Sequence, residues 1–356
     1  VSGNGYYTGA EPCTDMIAGY EPGTDVKEHS ELDLDQKKFE THLAASEWAD
    51  ALAIYQNGEH SVKSSGAIRT IAGFSTSAAT KMNGEPVYEI YRAYWNSDTY
   101  ADDFVTSVLP GGANAGAADI TRVELAKKGS AYQNIWMYVI HEMEDAIADC
   151  RLGNNNNNDG GVHAWDEGWA FYAGSLEGTD GSGSGKMIHA LADKRCANFG
   201  TCTGADPNTG GSQVNGDLLG LFEAGRDKLA LYQCDDVEAI KNTIVKKMQI
   251  PLVQGALRYA YKVDELSGGA KEIAEGWAFS AAILPMIDDC DSTAAAQIRA
   301  NQVFDAAQPM ADGFATVKGL YESVYSCMQI TCADVGGLVS GNGYYTGAEP
   351  CTDMIA

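Results

Sequence analysis

Two histidine–carboxylate sets with the same spacing flank one asparagine-rich stretch. In WMYVIHEMEDAIADC (136–150), His141, Glu144 and Asp145 fall at i, i+3 and i+4, and in VHAWDEGWAF (162–171) His163, Asp166 and Glu167 repeat that interval. On a helix, residues so spaced share a face. If Asn154 to Asn158 turn the chain between two helices, these run antiparallel and bring two imidazoles and four carboxylates together. Such a mixed nitrogen and oxygen set suits a hard or borderline cation, and both Fe3+, which favours oxygen donors, and Ca2+ are compatible with it. A plainer reading of the same residues is surface ion pairing worth a few tenths of a kcal/mol. Asp166 and Glu167 would then complement a helix dipole, while Trp165, Trp169, Tyr172 and Leu176 form a core stripe.

Other chemistry finds less support. HEMED begins like the zinc-protease H-E-x-x-H, but Asp145 stands where the second histidine belongs. The Glu-x-x-His order of di-iron bundles is reversed in His141-x-x-Glu144. There is no G-x-S-x-G, phosphate-binding loop or dinucleotide fingerprint, so no enzyme is expected. The histidines at 29, 42, 60, 141, 163 and 189 all lie in the first part of the chain. A second site would therefore use oxygen donors, for which Tyr261, Asp264, Glu265 and Glu275 are the candidates.

The elements that must position these groups read as mostly α. Ser30 with Asp33 predicts an N-cap, and Trp48, Ala51, Leu52 and Tyr55 continue a helical stripe that Asn57-Gly58 closes. Further helices are predicted over 98–109, 118–128, 130–150, 163–177, 186–197, 216–248, 251–267, 270–290, 292–308 and 310–327. Strand-like alternation is confined to short pieces such as Val87 to Tyr94. Gly181 to Gly185 has flexible-linker chemistry. DALAIYQ (50–56) resembles DKLALYQ (227–233), and EGWAF occurs at 167–171 and 275–279. These matches, in the same order, predict two related helical-bundle lobes, 19–202 with insertions and 217–338, joined by a linker over 203–216.

The longest repeat is exact. VSGNGYYTGAEPCTDMIA, Val1 to Ala18, recurs as Val339 to Ala356, a period of 338 residues. A solenoid unit is far shorter and cannot bury a core alone, whereas a unit of this length can. The expectation is a string of whole modules, with the chain entering one copy partway and stopping early in the next. Cys351 is then the second copy of Cys13, and one period holds Cys13, Cys150, Cys196, Cys202, Cys234, Cys290, Cys327 and Cys332. An even set without any C-x-x-C predicts disulfides in an oxidising compartment. Cys196/Cys202 and Cys327/Cys332 are the close pairs; Cys332 with Cys351 would instead staple one module to the opening of the next, and Cys13 pairing forward within its own module is the alternative.

The net charge of −25, from 49 acidic and 24 basic residues, argues against nucleic-acid and anionic-membrane partners, and no apolar run reaches the length of a membrane span. Neighbouring copies of the same module, assembled into a fibre or coat, are the expected partners.

The HAWDEGWAFYAGSLEG run (163–178), the later AEGWAF (274–279) and the CADVGG ending (332–337) resemble the algal low-iron-inducible periplasmic family, which includes iron-assimilating proteins and phytotransferrins. The likeness extends over roughly residues 20 to 337. It implies a secreted, non-enzymatic protein of the cell surface or periplasm connected with iron acquisition. For the phytotransferrins it further implies Fe3+ held with carbonate. The exact long repeat departs from a one- or two-module uptake protein and raises a structural fibre or surface coat as the alternative role.

Overall fold

A computed structural model describes residues 16–156 and 159–353. Helices dominate, and the one two-stranded ladder among the described residues pairs Val339–Ser340 with Gly343–Tyr344. Each EGWAF motif lies on a helix that packs along the helix preceding it. Gly161–Ala173 packs on Trp136–Leu152, and Ala270–Cys290 packs on the long Cys234–Asp264 helix. DALAIYQ lies in the Trp48–Asn57 helix, and DKLALYQ runs off the end of Gln213–Ala230. A single hydrophobic core runs through the molecule, from Ile17 and Tyr20 through Trp136, Trp165 and Trp169 to Phe279 and Tyr321.

Local chemistry explains where the observed elements depart from the predicted ones. The stretch predicted as one helix over 30–57 is broken at Ser46, whose φ of 56° is left-handed, giving Leu32–Ala44 and Trp48–Asn57. Ser30 does not cap it: its hydroxyl donates to the Lys27 carbonyl at 2.7 Å. Asp33 instead accepts from the Leu176 amide at 2.6 Å and the Ser175 hydroxyl at 2.7 Å. Val87 to Tyr94 is not a strand but part of the Pro86–Trp95 helix, started by proline in its first turn and closed by Asn96 in the left-handed region. Its buried Val87, Tyr88 and Tyr91 fit a helical face as well as the alternation fits a strand. The helices predicted to separate before Pro251 are continuous, because the break comes earlier, at Tyr232 (φ 56°). Burial of Ile250, Leu252 and Val253 around the proline offsets its helix-breaking cost of about 3 kcal/mol. Nor is the 181–185 stretch a free linker. It wraps the Glu177 turn, with the Gly183 amide donating to Glu177 O at 3.0 Å and the Ser184 amide to Leu176 O at 2.9 Å.

Four disulfides staple the fold: Cys150–Cys234, Cys196–Cys202, Cys290–Cys327 and Cys332–Cys351. The close pairing read between Cys327 and Cys332 is therefore corrected. Gln329, at φ 56°, turns the chain between them. Cys327 is left facing Cys290 at the end of its helix, and Cys332 facing the segment that carries Cys351. Cys13 lies outside the described residues.

The Gln213–Ala230 helix approaches Gly161–Ala173 closely enough that the Trp165 indole lies over Gly225. A Cβ there would stand 2.0 Å from the ring. The indole is fully buried and donates to Phe222 O at 2.8 Å, so it has no room to retreat. Gly225→Ala is expected to destabilise the protein by about 3 kcal/mol, the upper part of the usual overpacking range, despite alanine's better helix propensity. Gly220→Ala, on the same helix with open space around it, is expected to be neutral or slightly stabilising. Urea unfolding of both variants checks the contrast.

Candidate metal centre

The Gly161–Ala173 helix places His163 and Glu167 one turn apart, with His163 Nε2 3.0 Å from Glu167 Oε1. The same carboxylate oxygen lies 2.9 Å from Nε2 of His29, carried by the short Lys27–Ser30 helix that packs across the first turns. The two imidazoles meet edge to face, with ring centroids 5.4 Å apart and planes at 81°. One ligand atom from each of His29, His163 and Glu167 lies within 4.8 Å of the other two.

The surroundings decide which nitrogen of His163 faces this point. Its Nδ1 is 3.0 Å from the Thr24 hydroxyl, and that hydroxyl donates its single proton to Asp166 Oδ2 at 2.8 Å. Thr24 can therefore only accept from His163, which fixes the proton on Nδ1 and leaves the Nε2 lone pair aimed at the centre whenever the ring is neutral. Asp166 also accepts from the Tyr20 hydroxyl at 2.6 Å. Tyr20 and Thr24 thus tie the N-terminal segment to the helix that carries two of the three candidate ligands.

The charge states follow from position. Burial works to raise the Glu167 carboxyl, but hydrogen bonds and charge from His163 and His29 overcome it and hold the group well below its ordinary value. Burial lowers His29, helped by the Arg69 cation, against the pull of Glu167. Burial also acts to lower His163, yet Glu167 and Asp166 prevail and raise it. Glu142, buried on the Trp136–Leu152 helix within hydrogen-bonding reach of Glu167, is pushed well up by burial and by the Glu167 charge. Arg69 closes one side, its guanidinium on His29 Nε2 and 3.3 Å from Glu28. On another side Lys81 donates to the Tyr138 hydroxyl at 2.6 Å.

The structure brings His163 and Glu167 together and sends the other predicted ligands elsewhere. Nδ1 of His141 lies 2.6 Å from Glu85, Glu144 accepts from Lys241 at 2.6 Å, and Asp145 is exposed. His141 and Glu142 are successive residues, so their side chains leave the helix about 100° apart; it is the Tyr138–Glu142 side that faces the EGWAF helix. Asp166 lies behind the centre and orients it through Thr24. In the later half no common point forms. Tyr261 packs against Phe314 and Tyr345, Asp264 accepts from the Phe314 amide at 2.7 Å, Glu265 is exposed, and Glu275 pairs with Lys128 at 2.8 Å. His29 escaped the sequence reading because no spacing links it to residues more than a hundred positions away. Glu142 was also missed by the sequence reading; its i+4 spacing from Tyr138 is the signal that shares its face. A second group, His42, Glu47 and Asp50, is largely exposed at the surface.

Burial pushes the Asp166 carboxyl up to about 6 from 3.8, against hydrogen bonds that favour its charged form. The native state then retains a proton that the unfolded chain has released, so this group's contribution to stability falls as pH rises between about 4 and 6. Asp166→Asn removes that titration. Across this window the wild type is expected to lose about 1–3 kcal/mol more than the variant. Denaturation midpoints at a series of pH values measure the difference.

The sequence-family model for low iron-inducible periplasmic proteins matches residues 6–340. The chain belongs to that family. Its match takes in every residue of the centre just described, from Thr24 to Glu167. No curated protein and no solved structure matches the chain. Membership of the low iron-inducible periplasmic family and four disulfides together place the protein outside the reducing cytosol, in a periplasmic or extracellular setting. None of the described helices is long and apolar enough to cross a membrane.

Proposed function

We propose that the protein is a secreted, non-enzymatic iron-binding module that holds Fe3+ between His29, His163 and Glu167. The observation that carries this reading is the Asp166–Thr24–His163 chain. It turns the Nε2 of His163 toward the Glu167 carboxylate and the His29 imidazole, so that this nitrogen is placed to ligate once its proton leaves. Two nitrogens and one carboxylate oxygen are a donor set used for iron, with positions left open for further ligands. Glu142, within hydrogen-bonding reach of Glu167, is a further carboxylate that would join on losing its proton. For iron to take His29 Nε2 the Arg69 guanidinium must withdraw from that nitrogen, and because it would repel a bare cation an anion between guanidinium and metal is favoured, for which carbonate has the charge and bidentate shape. Ca2+ is the weaker fit, because two imidazoles replace the oxygens it requires.

Iron must displace the His163 proton, and the Glu142 proton if that group joins. Apparent affinity is therefore expected to fall as pH drops through the raised His163 value, by about tenfold per unit for each proton displaced. Metal analysis after equilibration with citrate-buffered Fe3+ and bicarbonate should find one iron per chain at neutral pH and progressive loss on acidification. Stoichiometric binding that ignores pH would overturn the assignment to His163.

A second reading, a structural protein built from tandem modules, is favoured by the exact repeat of Val1–Ala18 at Val339–Ala356. The two readings are compatible, because the metal centre and the repeated segment use different residues.

A further inference from the structure

The repeated segment is seen docked in its second copy. After Gly337, the chain forms the small Val339–Tyr344 hairpin and folds back on the module. Leu338 and Ala348 are buried, and the Leu338 amide donates to Ala348 O at 2.9 Å. Tyr345 packs on Tyr261 with ring centroids 5.0 Å apart. Cys351 is bonded to Cys332, and Asp353 Oδ1 accepts from the Cys332 amide at 2.8 Å. The end of the first copy is anchored on quite different residues. Ile17 and Ala18 are buried against the EGWAF helix, where the Trp169 indole donates to Ile17 O at 2.7 Å and the Ala18 amide donates to Gly178 O at 2.8 Å.

We infer that this eighteen-residue sequence is a clasp between two copies of the module. Its first fifteen residues seat on the Cys332 face of one copy, and its Ile-Ala end plugs into the EGWAF helix of the next. The sequence identity carries the argument. Asp353 corresponds to Asp15 and Ile355 to Ile17, so a single methionine separates the last anchor on one module from the first anchor on the next. Two peptide units span at most about 7 Å. Consecutive modules must therefore touch, in one orientation, and the assembly is a stiff fibre rather than beads on flexible tethers.

The cysteines agree. The four disulfides take up all eight cysteines among the described residues, Cys351 with Cys332 among them, and Cys13 is the identical counterpart of Cys351 in the sequence. Cys13 is thus matched to the Cys332 of a second copy. Bond formation there needs an oxidant. A small-molecule disulfide such as oxidised glutathione serves, since its own S–S bond breaks and it leaves as two thiols, taking up the two electrons and two protons that the cysteines give.

Cys351→Ser in the full chain opens the seat covalently. Equal amounts of 14N- and 15N-labelled variant are reduced, mixed and reoxidised with a glutathione buffer, and the bridged peptides are read by mass spectrometry. Cys13–Cys332 peptides joining light to heavy chains are expected, as is loss of that linkage when Cys332→Ser is added. Cys13–Cys332 bridges confined within single chains, Cys13–Cys13 dimers, or glutathione left on both thiols would overturn the clasp. A two-period chain with every cysteine kept tests the same point without substitution. The junction cysteine bonded back to Cys332 of the first period, together with resistance of the junction to limited proteolysis, is the expected result. A forward bond into the second period, or rapid cutting between the modules, would overturn it.

Discussion

Glu167→Gln is expected to lose stoichiometric iron while the helices persist, with affinity falling by more than about 100-fold. The estimate is a lower one, because removing even an outer-shell partner of a metal ligand costs 10–100-fold. One oxygen of Glu167 faces both imidazoles, at 2.9 and 3.0 Å, so the substitution removes the only charge shared by the three donors. Glutamine keeps the shape and most hydrogen-bonding capacity, which is why the fold should survive. Glu144→Gln and His141→Ala are the informative controls. Both residues are engaged elsewhere, with Lys241 and Glu85. Iron stoichiometry should be unchanged in these two. Comparable loss in all three variants would move the site to the His141 face, and retention in Glu167→Gln would remove it from this centre.

The largest stability effect is expected from the Cys150–Cys234 bridge, which closes a sequence separation of 84 residues. Chain entropy alone assigns it about 4.6 kcal/mol, against about 2.2 kcal/mol for Cys196–Cys202, whose separation is only 6. The paired Cys150→Ala, Cys234→Ala variant should lower Tm by about 6 °C in a chain of 356 residues. The Cys196→Ala, Cys202→Ala variant should lower it by about half as much. Scanning calorimetry of the two variants tests the order. A reversed order would mean that native packing, rather than restriction of the unfolded chain, carries the contribution of these bridges.

Helical periodicity carried most of the fold into view, since apolar stripes such as Trp165, Trp169 and Tyr172 report burial directly. What it missed were single-residue events. A left-handed Ser46 splits one stripe, and Pro86 starts a helix under a pattern that alternates like a strand. Of the candidate centre, one part was written in the sequence. His163 and Glu167 belong to one helical turn, and turn spacing is written in the sequence. His29 reaches them only through tertiary packing, and the choice between His141 and Glu142 depends on the rotation of a helix about its own axis. Apolar neighbours set that rotation, and both faces of the Trp136–Leu152 helix are apolar enough to be buried. Cysteine count revealed an oxidised protein, but partners such as Cys290 and Cys327 are joined by topology and no spacing rule anticipates them.

The disulfides also set how this molecule answers a pull on its ends. A load crossing the chain is shunted through each S–S bond, and the residues between the bonded cysteines cannot extend. The outer loops, with separations of 84, 37 and 19, do not overlap, and the short Cys196–Cys202 loop is nested inside the first. About two fifths of the chain is thereby withheld, roughly 500 Å of the roughly 1,280 Å that 356 residues would span when fully drawn out. Stretched in oxidising surroundings, the protein is a short tether with a hard stop. Where a reductant reaches it, the same molecule yields under load to a much greater length.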